Sequence, residues 1–204
     1  KIIRSESKTP IIIVLDVTGS NIEFAKLVYD KFPMFYGELE QKGYLEDFDI
    51  SMCAVGDAYT DSYPMQISDF AKGLEIDSWV EKMVLEGHGG GQRMESYELM
   101  AHYLINNTEF AKDSKPMLFF IADEAPYPRV DVLQAENIGI PIQSAYNPFP
   151  QLNEKFNDNV YVMLNKYNSK NFEDDITSAW ENRVPKENIT KIETEKAIVD
   201  LILG

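Results

Sequence analysis

The sequence predicts an α/β fold, with a doubly wound, mostly parallel sheet, an antiparallel edge strand and helices on both faces. Three observations predict it. Ile11-Ile12-Ile13-Val14-Leu15 and the stretch from Met117 to Ala122 are unbroken apolar runs. A strand that stays apolar at every position has both faces covered, which is the habit of parallel sheets. Between these runs lie stretches whose apolar residues recur at helical spacing, so strands and helices alternate and the crossovers wrap the sheet. No repeat, low-complexity tract or linker divides the 204 residues, so residues 1–204 are expected to form one domain.

Each element follows in order. The run at 11–15 leads through Asp16 to Ser20 into a helix over 21–41, where Phe24, Leu27, Val28, Phe32 and Phe35 recur at helical spacing. Pro33 is expected to kink or break this helix because it has no N–H to donate, and Lys42-Gly43 is a stop signal. Residues 48–56 read as the second strand, 57–64 as a turn-rich connection, and 65–71 as a short antiparallel edge strand. A helix is expected over 76–85, with Trp79, Val80 and Met83 on its buried side. Gly87 to Gly91 break it, and a second amphipathic helix covers 94–105. The third long strand, 117–122, ends at Asp123. Beyond it the pattern predicts a helix at 130–137, an extended piece at 140–144, a strand at 160–164 and a helix at 172–181. An edge strand at 189–192 and a closing helix at 195–203 complete the chain.

Composition narrows the function. The chain is 44% hydrophobic and 12% aromatic, enough for a packed core. No apolar run approaches the roughly 20 residues that cross a bilayer. Acidic residues number 34 against 19 basic, a formal charge of −15. That field repels phosphate, which argues against nucleic acid and anionic membrane as partners, and it attracts cations. Cys53 is the sole cysteine; it has no internal disulfide partner and sits in an apolar run, so it reads as a core residue in a reducing, cytoplasmic setting.

In a doubly wound sheet, ligands collect at the carboxyl ends of the strands where strand order reverses. Asp16-Val17-Thr18-Gly19-Ser20 sits directly after the first strand. It offers a carboxylate and two hydroxyls at alternate positions of one tight loop, an all-oxygen set of the kind hard cations prefer. The same residues have a purely structural reading. Ser20 with Glu23 makes a capping box, and Asp16 and Thr18 could satisfy local backbone donors. The loop alone leaves both readings open.

Two further segments join it. His88-Gly89-Gly90-Gly91-Gln92-Arg93-Met94-Glu95 precedes a helix, and Leu118 to Glu124 is a strand that delivers Asp123. Together the three resemble the metal-ion-dependent adhesion site (MIDAS) of von Willebrand factor A (vWA) domains, whose Rossmann-like fold runs in the same order. The resemblance implies Asp16, Thr18 and Ser20 as first-loop ligands and Asp123 as a ligand direct or through water. Gln92 stands where many members have Thr or Asp, and brings an amide oxygen without charge. Glu124 stands where Gly is frequent. The implied ion is Mg2+, with Mn2+ or Ca2+ as substitutes. The implied role is a protein-binding adaptor whose partner offers an acidic side chain to the ion. The missing disulfides look like intracellular microbial members, which implies an AAA+ ATPase as partner.

Tyr59, Tyr63 and Tyr127, together with Glu124, are expected to rim the site, since exposed aromatics suit protein recognition. His88 and His102 read as ordinary polar or packed residues. Two other functions are weighed. Asp-Val-Thr-Gly-Ser is similar to the phosphorylation loop of P-type ATPases and haloacid-dehalogenase-like enzymes, which would make Asp16 a nucleophile beside Mg2+. Against it, Val17 replaces the lysine and no Gly-Asp-Gly loop follows. The third is a metal-free scaffold, which the uncharged Gln92 keeps open.

Overall fold

The computed structural model describes residues 1–19, 22–43, 45–86, 94–165 and 170–192. In chain order the strands are β1 (Ile3–Ser5), β2 (Thr9–Asp16), β3 (Phe48–Val55), β4 (Met65–Ile67), β5 (Met94–Glu95), β6 (Thr108–Phe110), β7 (Met117–Ala122), β8 (Ala125–Pro126), β9 (Val160–Leu164) and β10 (Ile189–Lys191). The helices are α1 (Ile22–Lys42), α2 (Glu75–Val80), α3 (Tyr97–Asn107), α4 (Val132–Asn137), α5 (Phe149–Lys155) and α6 (Lys170–Glu181).

Six strands form the main sheet in the order β10-β9-β7-β2-β3-β4. All pairs are parallel except β3 with β4 at the edge. The alternation of side chains explains the unbroken apolar runs. Ile12 and Val14 of β2 enter one core with Phe120 of β7 and with Tyr97, Met100, Leu104 and Trp180 from α3 and α6. Ile11, Ile13 and Leu15 enter the opposite core with Ala25, Val28 and Leu39 of α1 and Ile76 of α2. The run from Pro10 to Leu15 in β2 is therefore apolar throughout because each face has a helical cover. Cys53 is a buried free thiol of β3, its pKa pushed up to about 12 by burial.

Several expectations need correction. The helix does not break at Pro33: α1 runs from Ile22 to Lys42, and its buried residues on both sides of the proline pack on the same face of the sheet. The helix expected over 76–85 ends at Val80. Its continuation is captured by the Gln66 side chain, which donates to the Val84 carbonyl and accepts its N–H, both at 2.8 Å. Within 65–71 the antiparallel pairing pauses at Ser68, whose Oγ accepts the Met52 N–H at 2.9 Å, and resumes at Ala71 opposite Ile50. The helix expected from residue 94 starts at Tyr97, because Met94 and Glu95 pair in parallel with Ala125 and Pro126. Residues 140–144 form no strand; the Ile140 carbonyl lies 2.9 Å from His102 Nε2. The pair β1–β6 and helix α5 were not foreseen. The glycine loop at 87–91 and the closing helix at 195–203 lie outside the described residues.

Candidate metal site

Strand order fixes where the site can be. From β2 the chain moves outward through β3 and β4, then returns to the other side of β2 for β7, β9 and β10. The reversal falls between β2 and β7. Asp16 is the last residue of β2 and Asp123 follows β7 directly, so both carboxylates stand at the switch point where such sheets bind ligands.

They meet there. The side chains of Asp16 and Asp123 adjoin, and Asp123 is among the groups that oppose the effect of burial on the Asp16 carboxyl. Both residues are buried. Asp16 Oδ1 also accepts the Thr18 N–H at 2.8 Å and the Thr18 hydroxyl at 2.6 Å, while Oδ2 accepts the phenol of Tyr97. Burial raises the Asp16 pKa, against the opposing pull of these donors. Two adjoining carboxyls in a desolvated place share a proton, and both are ionised only when a cation stands between them.

The neighbouring loops are tied to this point by backbone bonds. Val17 N–H donates to Val55 O at 3.0 Å, and Ser96 N–H to Gly56 O at 3.1 Å. The turn after β3 is tight: Asp61 Oδ2 accepts the Asp57 N–H at 2.7 Å, and a Cβ at Gly56 would collide with that carboxylate. Asp57 is fully buried and accepts the Tyr127 phenol at 3.2 Å and the Tyr59 N–H at 3.0 Å.

Tyr97, Glu95 and Asp57 were missed from the sequence. Tyr97 is wedged against Phe120 and Trp180, with ring centroids 6.0 and 5.1 Å away, and Trp180 Nε1 donates to the Glu124 carbonyl at 3.0 Å. The available signal was position alone, since Glu95 and Tyr97 directly follow the glycine loop.

The expected site residues divide as follows. Asp16, Thr18 and Asp123 converge. Ser20, Gln92 and His88 lie outside the described residues. Tyr59 and Tyr63 are exposed at 55% and 56%, whereas Tyr127 and Glu124 are 8% exposed and lie inside the edge rather than on its rim. Tyr127 is drawn in by its hydrogen bonds to Asp57 and to Glu98, whose Oε2 accepts its N–H at 3.1 Å. His102 is packed, with Nδ1 2.8 Å from the Tyr146 hydroxyl. Among the described residues no three His, Cys, Asp or Glu side chains are grouped to hold a metal ion. A site here needs hydroxyl or amide oxygens beside its carboxylates, and the donors present, two carboxyls and the Thr18 hydroxyl, are of the class a hard cation takes.

No protein-family model matches the sequence, and no curated protein is similar to it in sequence. Solved structures do match. The pilus adhesin SpaC from Lactobacillus rhamnosus GG, in an open conformation, gives a TM-score of 0.66 at 12% identity over 100% of this chain and 30% of its own. Proximal thread matrix protein 1 from the mussel byssus gives 0.59 at 12% identity, over 97% of this chain and 47% of its own. The fold is of the vWA type. Another structure of the mussel protein, also at 0.59 and 12% identity, covers 98% of this chain and 47% of its own and has zinc in its MIDAS motif. The chain thus spans less than half the length of each of these three structures. Among the described residues no helix is long and apolar enough to cross a membrane.

Proposed function

We propose that residues 1–204 act as one cation-dependent protein-binding module. Its ion, Mg2+ or a substitute such as Mn2+ or Ca2+, is held by Asp16, Thr18, Ser20 and Asp123, with Gln92 adding an amide oxygen. The observation that carries this reading is the buried contact between the Asp16 and Asp123 carboxyls at the switch point. The residues fit the ion by their chemistry: an acidic, desolvated pair gains more from a divalent cation than from any neutral ligand. When bound, the ion offers a coordination position to an oxygen of a partner protein.

The chain's own residues prepare the place. Thr18 and Tyr97 hold the Asp16 carboxyl from both sides, and burial keeps water from screening its charge. Exposed Tyr59 and Tyr63 give the neighbouring surface large side chains of the kind that anchor protein interfaces. The AAA+ ATPase partner and the cytoplasmic setting draw no support from the neighbours, a pilus adhesin and a thread matrix protein, and are not part of the proposal.

Binding is favoured over phosphoryl transfer because Val17 stands where the phosphorylation loop carries its lysine, and no Gly-Asp-Gly loop follows in the sequence. Calorimetric titration with Mg2+ and Mn2+ tests the module. The expected result is saturable binding that Asp16→Ala abolishes. The proposal fails if neither cation binds the wild type, or if the alanine variant binds equally well.

A further inference from the structure

Among the described residues, four of the six exposed large apolar side chains lie on the flank formed by the β3–β4 connection and the start of α4. They are Tyr59, Tyr63, Val84 and Leu133. Ala58 packs into one cluster with Leu99, Val130 and Ala135, and the Tyr59 ring lies 5.1 Å from that of Tyr127. Tyr59 is thereby set beside the first turn of α4, where Asp131 accepts the Leu133 N–H at 2.9 Å. At the other end Glu86 accepts the Tyr63 N–H at 2.9 Å, and the Gln66 side chain holds Val84.

The two tyrosines stand on a braced turn. Gly56 N–H donates to Pro64 O at 2.9 Å and closes the connection, while Asp61 N–H donates to Asp57 O at 2.8 Å. Ser96 Oγ accepts the Ala58 N–H at 2.9 Å and ties the turn to α3. Large rings on a turn already fixed offer contact area at little ordering cost. The charge here has mostly one sign. In residues 57–64, 81–86 and 127–133, Asp57, Asp61, Glu81, Glu86 and Asp131 stand against Lys82 and Arg129, and Lys82 lies over the Trp79 ring at 4.7 Å. Burial, and then the charges of Asp131, Glu98 and Asp57, raise the Tyr59 phenol above its ordinary pKa.

We propose that this flank docks a basic, partly apolar segment of the partner protein, with arginine side chains against Tyr59 and Tyr63. The inference rests on the reading that this edge binds a protein, and not on a bound cation. Arginine fits because its guanidinium stacks on aromatic faces and pairs with carboxylates at the same time. A second copy of this chain carries the same −15 and is repelled, as is an anionic lipid surface.

The probe is a capped peptide of alternating arginine and leucine, beside a reference peptide of alternating glutamate and leucine. Both are titrated into the full chain, freed of divalent cations, in about 150 mM NaCl, where the Debye length is about 8 Å. Amide chemical shifts of isotope-labelled protein locate the contact, and fluorescence anisotropy of the labelled peptide gives the affinity. The arginine peptide is expected to move resonances in residues 57–64, 84–86 and 129–133. Tyr59→Ala combined with Tyr63→Ala is expected to weaken it by at least about tenfold, whereas Glu40→Gln, which removes an exposed acid from α1, leaves the affinity unchanged. Shifts scattered over the acidic surface, with the double variant binding like the wild type, would reduce the attraction to net charge and overturn the inference. So would an arginine peptide that does not bind, or a glutamate peptide that binds as well. Because no cation takes part, failure here leaves the ion site standing, and a failed calorimetric titration leaves this docking surface standing.

Discussion

Glu98 enters α3 with its carboxyl inside the protein, Oε2 on the Tyr127 N–H and Oε1 facing no partner among the described residues. Burial, the largest cause, pushes its pKa from 4.5 up to about 8, and the nearby Arg183 only partly opposes this. The folded state therefore holds a proton that the unfolded chain releases near pH 4.5. The stability this contributes is full below the unfolded pKa and is lost as pH rises through about 8. Glu98→Gln resembles the protonated form at every pH. Thermal melts should show variant and wild type alike near pH 4.5, with the variant melting higher above pH 8. A difference that is constant across this range would mean that Glu98 does not titrate as described.

At the scale of elements, the long strands were legible because their sequence pattern and their burial have one cause. Helical cover on each face accounts for the unbroken apolar runs Pro10–Leu15 of β2 and Met117–Ala122 of β7, and Asp16 and Asp123 stand out because each directly follows such a run. Elements with two or three residues carry no period to read. The β5–β8 pair is two residues long on each side, so Glu95 was absorbed into the helix that begins at Tyr97. Nothing local in the sequence marks Tyr97, since its partner Asp16 lies 81 residues away in the chain. The same long-range logic gives α6 its importance. Trp180 is fully buried against Tyr97, Phe120 and Phe149, with centroids at 5.1, 5.4 and 5.7 Å, and it holds the Glu124 carbonyl. Trp180→Ala removes this aromatic volume and leaves that carbonyl without its indole donor, so a loss of about 3–5 kcal/mol is expected. Urea denaturation measures it; a loss under about 1 kcal/mol would mean the site collapses around the missing ring.

At the scale of the whole molecule, two electrostatic effects oppose each other and salt distinguishes them. Six ion pairs join described side chains, among them Arg4 with Glu109 and Lys72 with Asp47. Most of their charged groups are well exposed, so each pair contributes little. The opposing effect is the excess of 34 acidic over 19 basic residues, a net −15, which repels itself when the chain is compact. Salt screens both, with a Debye length of about 10 Å at 0.1 M. Because the repulsion involves many charges and the pairs are few and solvated, screening should relieve more than it weakens. Raising NaCl from about 10 mM to about 150 mM is therefore expected to raise the melting temperature of cation-free protein. Mg2+ at matched ionic strength should raise it further, by the linkage of a bound ion to the folded state. In Asp16→Asn the NaCl effect should persist while the additional Mg2+ effect disappears. A melting temperature that falls with NaCl would show that the ion pairs outweigh the net charge, and equal responses to NaCl and Mg2+ in the wild type would reduce the cation's role to screening alone.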